Sequence, residues 1–322
     1  MDLTLTLLIG YALFLAITGY RLSFLKDKMT ARAIAWVLAI ATVLFSASIT
    51  WEKPPLYRMI VIVTLQLLSM KSLVAVETYA GKMNLKFFQW MGFAMGWFGM
   101  RPVLFETLPS KSLSYAKLSL FGISRIVIGL LFLYLSRVIE RSEIQIFFLS
   151  ELVMLIGMSL ILHFGLLNLS AAFWRFCGVD VKELFRAPVK SKSLKEFWGK
   201  RWNIAFSEMT SLIVYRPLKN SWGVPKATLV AFLVSGLLHE IAISFPVQTA
   251  YGLPLLYFCI HAALMFAENS LAFVRSINRH QIFSHIWVLG ALITPMPLLF
   301  HPAFVAHVLV PLRDVILNIL VP

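Results

Sequence analysis

His239 stands in the run Ser235-Gly-Leu-Leu-His-Glu240, near the end of an otherwise apolar stretch that begins near Ala227. A titratable imidazole in a segment apolar enough for a bilayer is costly to bury, which makes function the default reading and helix packing the alternative. Metal binding, proton relay and acid–base catalysis are all open to a single histidine. Its neighbours decide among them.

Several chemistries fail on spacing. His239-Glu240 has the start of a zinc-protease helix, but the residue four places beyond His239, where a second histidine is required, is Ile243. His280 and His285 are five residues apart and His301 and His307 six, so no imidazoles share a helix face at three or four residues, and no metal is expected. His163, His261 and His301 lie in or near apolar runs without a partner motif and read as structural. Cys177 and Cys259 form no Cys-x-x-Cys pair and read as packed thiols. There is no phosphate-cradling glycine loop and no dinucleotide fingerprint.

The second chemical cluster is Leu184-Phe-Arg-Ala-Pro-Val-Lys-Ser-Lys-Ser-Leu-Lys-Glu-Phe-Trp-Gly-Lys-Arg-Trp-Asn203. Pro188 and the Lys-Ser-Lys-Ser run predict a turn, after which Ser193 as N-cap and Glu196 three residues on form a capping box. A short amphipathic helix follows, carrying Phe197, Trp198, Arg201 and Trp202 at the level of lipid headgroups. Asn203 then enters or lines the interior with an amide that both donates and accepts hydrogen bonds.

The elements that hold these residues are membrane helices. Of the 322 residues 59% are hydrophobic and only 14% charged, against about 25% charged in soluble domains. Runs near the roughly 20 residues that cross a bilayer recur at Leu3–Tyr20, Ala33–Thr50, Met59–Val76, Leu118–Ser136, Gln145–Leu169, Ala227–Phe245, Leu253–Phe273 and Ile286–Phe300. A ninth, Phe304–Leu320, is interrupted by Pro311, Arg313 and Asp314. The expected fold is all-α and polytopic, with eight or nine membrane helices in one domain over residues 1–322. The first helix reads as retained rather than as a leader, with its N-terminus outside, because its basic cluster (Arg21, Lys26, Lys28, Arg32) follows it.

Charge sets the orientation. Trp174–Lys226 holds eleven basic and four acidic residues, a balance of +7 and half of the chain's +14. The positive-inside rule places this loop in the cytoplasm, and its flanking spans and interface aromatics point to a membrane surface rather than to nucleic acid. Phe87–Phe105 would reverse that orientation if it crossed. With Gly92, Gly96, Gly99 and Pro102 breaking helix and Trp90 and Trp97 suited to the interface, it reads as re-entrant or interfacial. An inside N-terminus with that segment spanning is the alternative.

Ser-Leu-x-x-Phe-Trp-Gly-x-Arg-Trp-Asn203, followed 36 residues later by His239, resembles the membrane-bound O-acyltransferase superfamily, most closely its wax-synthase-like branch. Trp97-Phe-Gly-Met-Arg-Pro102 is similar to the branch's Trp-Pro-Gly-Met-x-Pro element and Pro297-Leu-Leu-Phe-His-Pro302 to its C-terminal signature. The resemblance runs from about Glu77 to the C-terminus, leaving residues 1–76 as N-terminal helices. Asn203 stands where many members of the branch carry His, and Phe98 replaces the usual proline. The resemblance implies transfer of an acyl group from acyl-CoA, a co-substrate rather than a resident cofactor, to the hydroxyl of a lipophilic alcohol: a fatty alcohol, sterol, diacylglycerol or apolar secondary metabolite. It implies His239 as general base and Asn203 as the residue that orients or polarises. Trp198, Lys200, Arg201, Trp202 and Ser235 are the substrate-binding candidates, the two cations facing the phosphates of coenzyme A. The setting is a bacterial inner membrane or the endoplasmic reticulum, among membrane lipids. A transporter or a non-catalytic scaffold are the other classes, and the halves show no convincing inverted repeat.

Overall fold

The computed structural model describes residues 3–142, 146, 148–270 and 281–320. Gln145, residues 271–273 of the seventh predicted run, and His280 lie outside them. Among the described residues the regular structure is helical throughout, with no strand. The long helices are α1 (Leu3–Leu22), α2 (Lys28–Ile49), α3 (Pro55–Tyr79), then the short α4 (Phe87–Gly96), α5 (Ala116–Arg141), α6 (Leu149–Phe176), α7 (Ile204–Val247), α8 (Leu253–Ser270), α9 (Gln281–Leu299) and α10 (Pro302–Ile319). All but α4 and α8 are long and apolar enough to cross a bilayer, and α8 carries a shorter apolar stretch, Leu253–Glu268. The chain is an integral, multi-pass membrane protein.

The segment 87–105 does not form one spanning helix. At 10 residues α4 is about 15 Å long, half of the roughly 30 Å hydrocarbon core. Trp97 and Arg101 are extended, and a tight helical turn, Pro102–Thr107, follows.

Packing divides the chain into two compact units, residues 1–108 with 205–263, and residues 109–204 with 264–322. In the first, α2 and α3 are pinned at both ends. Glu77 of α3 meets Lys28 at 3.0 Å and accepts two bonds from the Arg32 guanidinium, the fork-on-fork arrangement that makes arginine pairs directional. At the opposite end the buried Arg58 donates to the carbonyls of Thr50, Trp51 and Lys53 and, at 2.9 Å, to that of Pro246. It closes the α2–α3 turn and holds the end of α7 to it.

In the second unit α5 and α6 touch backbone to backbone. A Cβ on Gly129 would lie 2.8 Å from the Gly157 carbonyl, and one on Gly157 2.9 Å from the Gly129 carbonyl. Small residues substitute close van der Waals contact for a hydrophobic drive that lipid does not supply. Arg313 of α10, buried, pairs with Glu140 of α5 at 2.6 Å, which explains why a run interrupted by Arg313 and Asp314 still packs as a membrane helix. His301 caps the start of α10, its Nδ1 accepting from the Phe304 N–H at 3.3 Å.

One difference from the sequence reading concerns the basic stretch 174–226. Its second half is not a loop: α7 starts at Ile204 and continues to the membrane run. Ala205, Met209 and Ile213 recur every four residues and are all buried, an apolar stripe that the charge count conceals. Within α7, Gly223 takes φ 77, ψ 167, a region that essentially only glycine enters, and Pro225 follows two residues later. The helix breaks there.

Candidate functional site

His239 and Ser235 belong to the first unit. The motif's residues each do something definite. Ser235 donates its hydroxyl to the Ala231 carbonyl at 2.8 Å, and its own carbonyl lies 2.7 Å from Nδ1 of His239. A carbonyl only accepts, so Nδ1 carries the proton and Nε2 of the neutral ring keeps its lone pair. This bond is not distinctive by itself, since His261, His285 and His307 each make the same link to the carbonyl four residues back. The His239 ring has two aromatic neighbours, Phe258 at 4.4 Å and Phe206 at 5.7 Å and edge-on.

Gly236 lets α8 approach. A Cβ there would meet Leu255 Cδ1 at 2.6 Å, the Leu255 Cα at 3.0 Å and the Phe258 Cβ at 3.3 Å, so a larger residue would push Phe258 off the imidazole. Glu240 points away from His239's ring environment to the start of α8, where Oε1 accepts from the Leu255 N–H at 2.9 Å. Its partner is the N-terminus of α8, where the dipole favours a carboxylate.

Trp97-Phe-Gly-Met-Arg-Pro102 is held in the same unit. Lys71 of α3, with no exposed surface, donates to the carbonyls of Trp97 at 2.7 Å and Gly99 at 2.5 Å, with its ammonium 4.1 Å from the Phe93 ring centre. Arg101 pairs with Glu208 in the first turns of α7, the same turns that carry Phe206. Sequence reading passed over Lys71. A lysine centred in an apolar run was the available signal.

Trp198, Lys200, Arg201, Trp202 and Asn203 belong to the second unit. Ser193 caps the short helix as expected, its hydroxyl accepting from the Glu196 N–H at 3.0 Å. The Glu196 carboxylate reaches back to the Lys192 N–H at 2.9 Å, one residue beyond the usual capping-box partner. That backbone donor and the Arg201 guanidinium hold the Glu196 carboxyl below its ordinary range. Residues 197–201 continue as a wide π-turn.

Arg201 is committed within this turn, at 2.7 Å from Glu196 and 3.2 Å from the Arg186 carbonyl, whereas Lys200 is exposed. Trp202 stacks on Phe197 at 5.5 Å and meets Phe185 edge-on at 4.9 Å. Asn203 is half-buried with φ 42, in the left-handed region that asparagine tolerates better than most residues, and the chain turns there into α7.

Two residues outside the sequence motifs organise this cluster. Glu268, buried at the end of α8, accepts from the Leu194 N–H at 2.8 Å and from the Trp287 indole at 2.9 Å, tying the short helix to α8 and α9. His163, read as structural, stacks on Phe185 at 4.3 Å and meets Trp202 at 5.3 Å.

Residues 181–260, which contain both Asn203 and His239, match the model of the "Membrane bound O-acyl transferase family". The Simmondsia chinensis protein "Long-chain-alcohol O-fatty-acyltransferase" is 40% identical over 72 residues, 20% of each chain. The Arabidopsis thaliana protein "Probable long-chain-alcohol O-fatty-acyltransferase 9" is 28% identical over 141 residues, 40% of this chain and 41% of the relative. "Probable long-chain-alcohol O-fatty-acyltransferase 6", also from Arabidopsis thaliana, is 33% identical over 101 residues, 29% of each. The chain thus spans between a fifth and about two fifths of the length of these curated relatives. The matches bear out the resemblance to the membrane-bound O-acyltransferases and to their wax-synthase-like branch.

Proposed function

We propose that this protein is a membrane-bound O-acyltransferase that moves an acyl group from acyl-CoA to the hydroxyl of a lipophilic alcohol, with a long-chain alcohol as the first acceptor to test. The observation that carries the reading is the match over residues 181–260, a span that contains both Asn203 and His239. The names of the relatives, long-chain-alcohol O-fatty-acyltransferases, favour the acceptor class.

In this reading Nε2 of His239 takes the proton of the acceptor hydroxyl as its oxygen attacks the thioester carbon. The C–O bond forms, the C–S bond breaks, and the imidazolium returns the proton to the departing thiolate. The Nδ1–H bond to the Ser235 carbonyl supports this role, because it leaves Nε2 as the acceptor. Asn203 donates its amide to the oxygen on which negative charge develops. Lys200 attracts the phosphates of coenzyme A, Arg201 braces the turn that presents it, Trp198 and Trp202 line the substrate, and Ser235 holds His239. Acyl-CoA enters as co-substrate from the cytoplasmic side of a bacterial inner membrane or the endoplasmic reticulum.

The test is ester formation by purified protein in lipid nanodiscs, supplied with labelled acyl-CoA and a panel of long-chain alcohol, sterol and diacylglycerol. The expected outcome is an ester of one acceptor class with stoichiometric release of free coenzyme A thiol. Absence of ester across the panel from folded protein contradicts the proposal.

A further inference from the structure

Arg125 stands in α5 seven residues past Leu118, where that helix's apolar run begins, and so about 10 Å below the edge of the run along the axis. Its side chain turns back toward the start of the helix, and the guanidinium carbon lies 4.5 Å over the Phe121 ring. That lifts the charge to about 5 Å from the edge of the run. Phe121 and its neighbours Leu120, Ile123 and Val127 are exposed, so this face of α5 is turned to lipid. Lys117, also exposed, extends the face one turn nearer the helix start: it precedes Phe121 by the same four residues that separate Phe121 from Arg125.

Among the described residues neither cation meets a carboxylate, and the Arg125 guanidinium donates to no carbonyl; its contact is the Phe121 ring. Asp180, which the structure brings to this end of α5, is taken by Arg175, whose Nε in turn donates to the Ser114 carbonyl at 2.7 Å. A guanidinium does not shed its charge, and an unmet charge inside an apolar run is costly, so an anion has to reach it from outside the protein. At that level of a bilayer the anions at hand are phospholipid phosphates, which a guanidinium meets with two parallel N–H bonds. A zwitterionic headgroup carries its own cation beside the phosphate, whereas an anionic one leaves net charge for Lys117 as well.

We propose that Arg125 and Lys117, with the Phe121 ring between them, bind the phosphate of an anionic phospholipid whose acyl chains lie along the exposed face of α5. The site belongs to the second unit and rests on no part of the acyl-transfer reading. Arg125 supplies the paired donors, Phe121 holds the guanidinium flat, and Lys117 adds a second charge at the outer side of the headgroup.

The experiment titrates the full chain, purified in detergent micelles, with dioleoylphosphatidylglycerol or dioleoylphosphatidylcholine and counts bound lipid by native mass spectrometry. The expected result is one phosphatidylglycerol held about tenfold more tightly than phosphatidylcholine, with an excess of inorganic phosphate failing to displace it. Arg125→Gln should abolish that preference with the melting temperature preserved, and Lys117→Gln should reduce it about fivefold. Lys26→Gln removes an equal charge from an exposed loop of the other unit and should leave the preference as it is. Should Arg125→Gln fail to fold, Lys117→Gln decides the question. An unchanged preference in the folded Arg125 or Lys117 variant, an equal loss in Lys26→Gln, or displacement by inorganic phosphate overturns the proposal. No acyl-CoA is present in the titration, so its outcome is separate from that of the ester-forming assay.

Discussion

Asn203 combines two demands at one position: a left-handed backbone at φ 42 and a side-chain amide. The left-handed region costs an ordinary L-residue about 1–2 kcal/mol, asparagine and histidine less, and glycine essentially nothing. That the family resemblance allows asparagine or histidine here fits the backbone requirement as well as any chemical one. The two are separable. Asn203→Gly is expected to leave thermal stability nearly unchanged while acyl transfer is lost, and Asn203→Val to lower stability by about 1–2 kcal/mol as well. A melting curve and a turnover assay on both variants check this; full activity in Asn203→Gly would assign the residue to the backbone alone. His239 was legible in the sequence because a polar side chain in a run of apolar ones stands out, and Asn203 because it closes the Phe-Trp-Gly-x-Arg-Trp-Asn motif. His163 stood out equally but lacked a partner motif, since its contacts, Phe185 and Trp202, lie 22 and 39 residues along the chain and meet it only through folding.

At the scale of elements, ion pairs at Glu77 and Arg313 are joined by a second device, buried charges that reach backbone atoms. Lys71 holds the extended stretch at Trp97–Gly99, Arg58 a turn and a helix end, and Glu268 and Glu240 the N-termini of helices. Backbone carbonyls and amides carry no sequence signal, so none of these links was readable in advance, whereas the capping box at Ser193 and the breaking of helix after Gly96 were. Lys71→Met keeps the apolar stem and leaves the Trp97 and Gly99 carbonyls without their donor. It is expected to destabilise the fold by about 2–6 kcal/mol, at a cost of about 1–3 kcal/mol for each of the two orphaned acceptors, and to speed tryptic cleavage at Arg101. An unchanged melting temperature would contradict the role given to Lys71.

The short helix that presents Lys200 should depend on pH through Glu196. Its folded carboxyl lies below the ordinary value, so its contribution is fully present above the unfolded pKa of about 4.3 and is lost as pH falls through the lower folded value. Hydrogen-exchange protection of residues 194–201, corrected for intrinsic rates, is therefore expected to hold at pH 5 and to drop below pH 4. In Glu196→Gln it should be weaker at pH 5 and lose that dependence; a pH profile identical to wild type would contradict it.

For the whole molecule, lipid as solvent made the sequence unusually readable. Every spanning backbone must satisfy its own hydrogen bonds, so run length predicts helices; among the described residues the eight long helices follow eight of the nine predicted runs with shifted ends, and the run at Leu253 gives the shorter α8. What lipid logic could not supply was the start of α7 inside the basic stretch, where charge outweighed an apolar stripe recurring every four residues, or the division of the helices into two compact units. In the proposed acyl transfer the general base is His239. The most direct measurement is the rate of ester formation from acyl-CoA and the accepted alcohol by wild type and His239→Gln, both purified in nanodiscs and matched in melting temperature. Loss of general-base catalysis predicts a fall in kcat of about 100-fold or more with acyl-CoA binding retained. Turnover by folded His239→Gln at the wild-type rate would contradict the account.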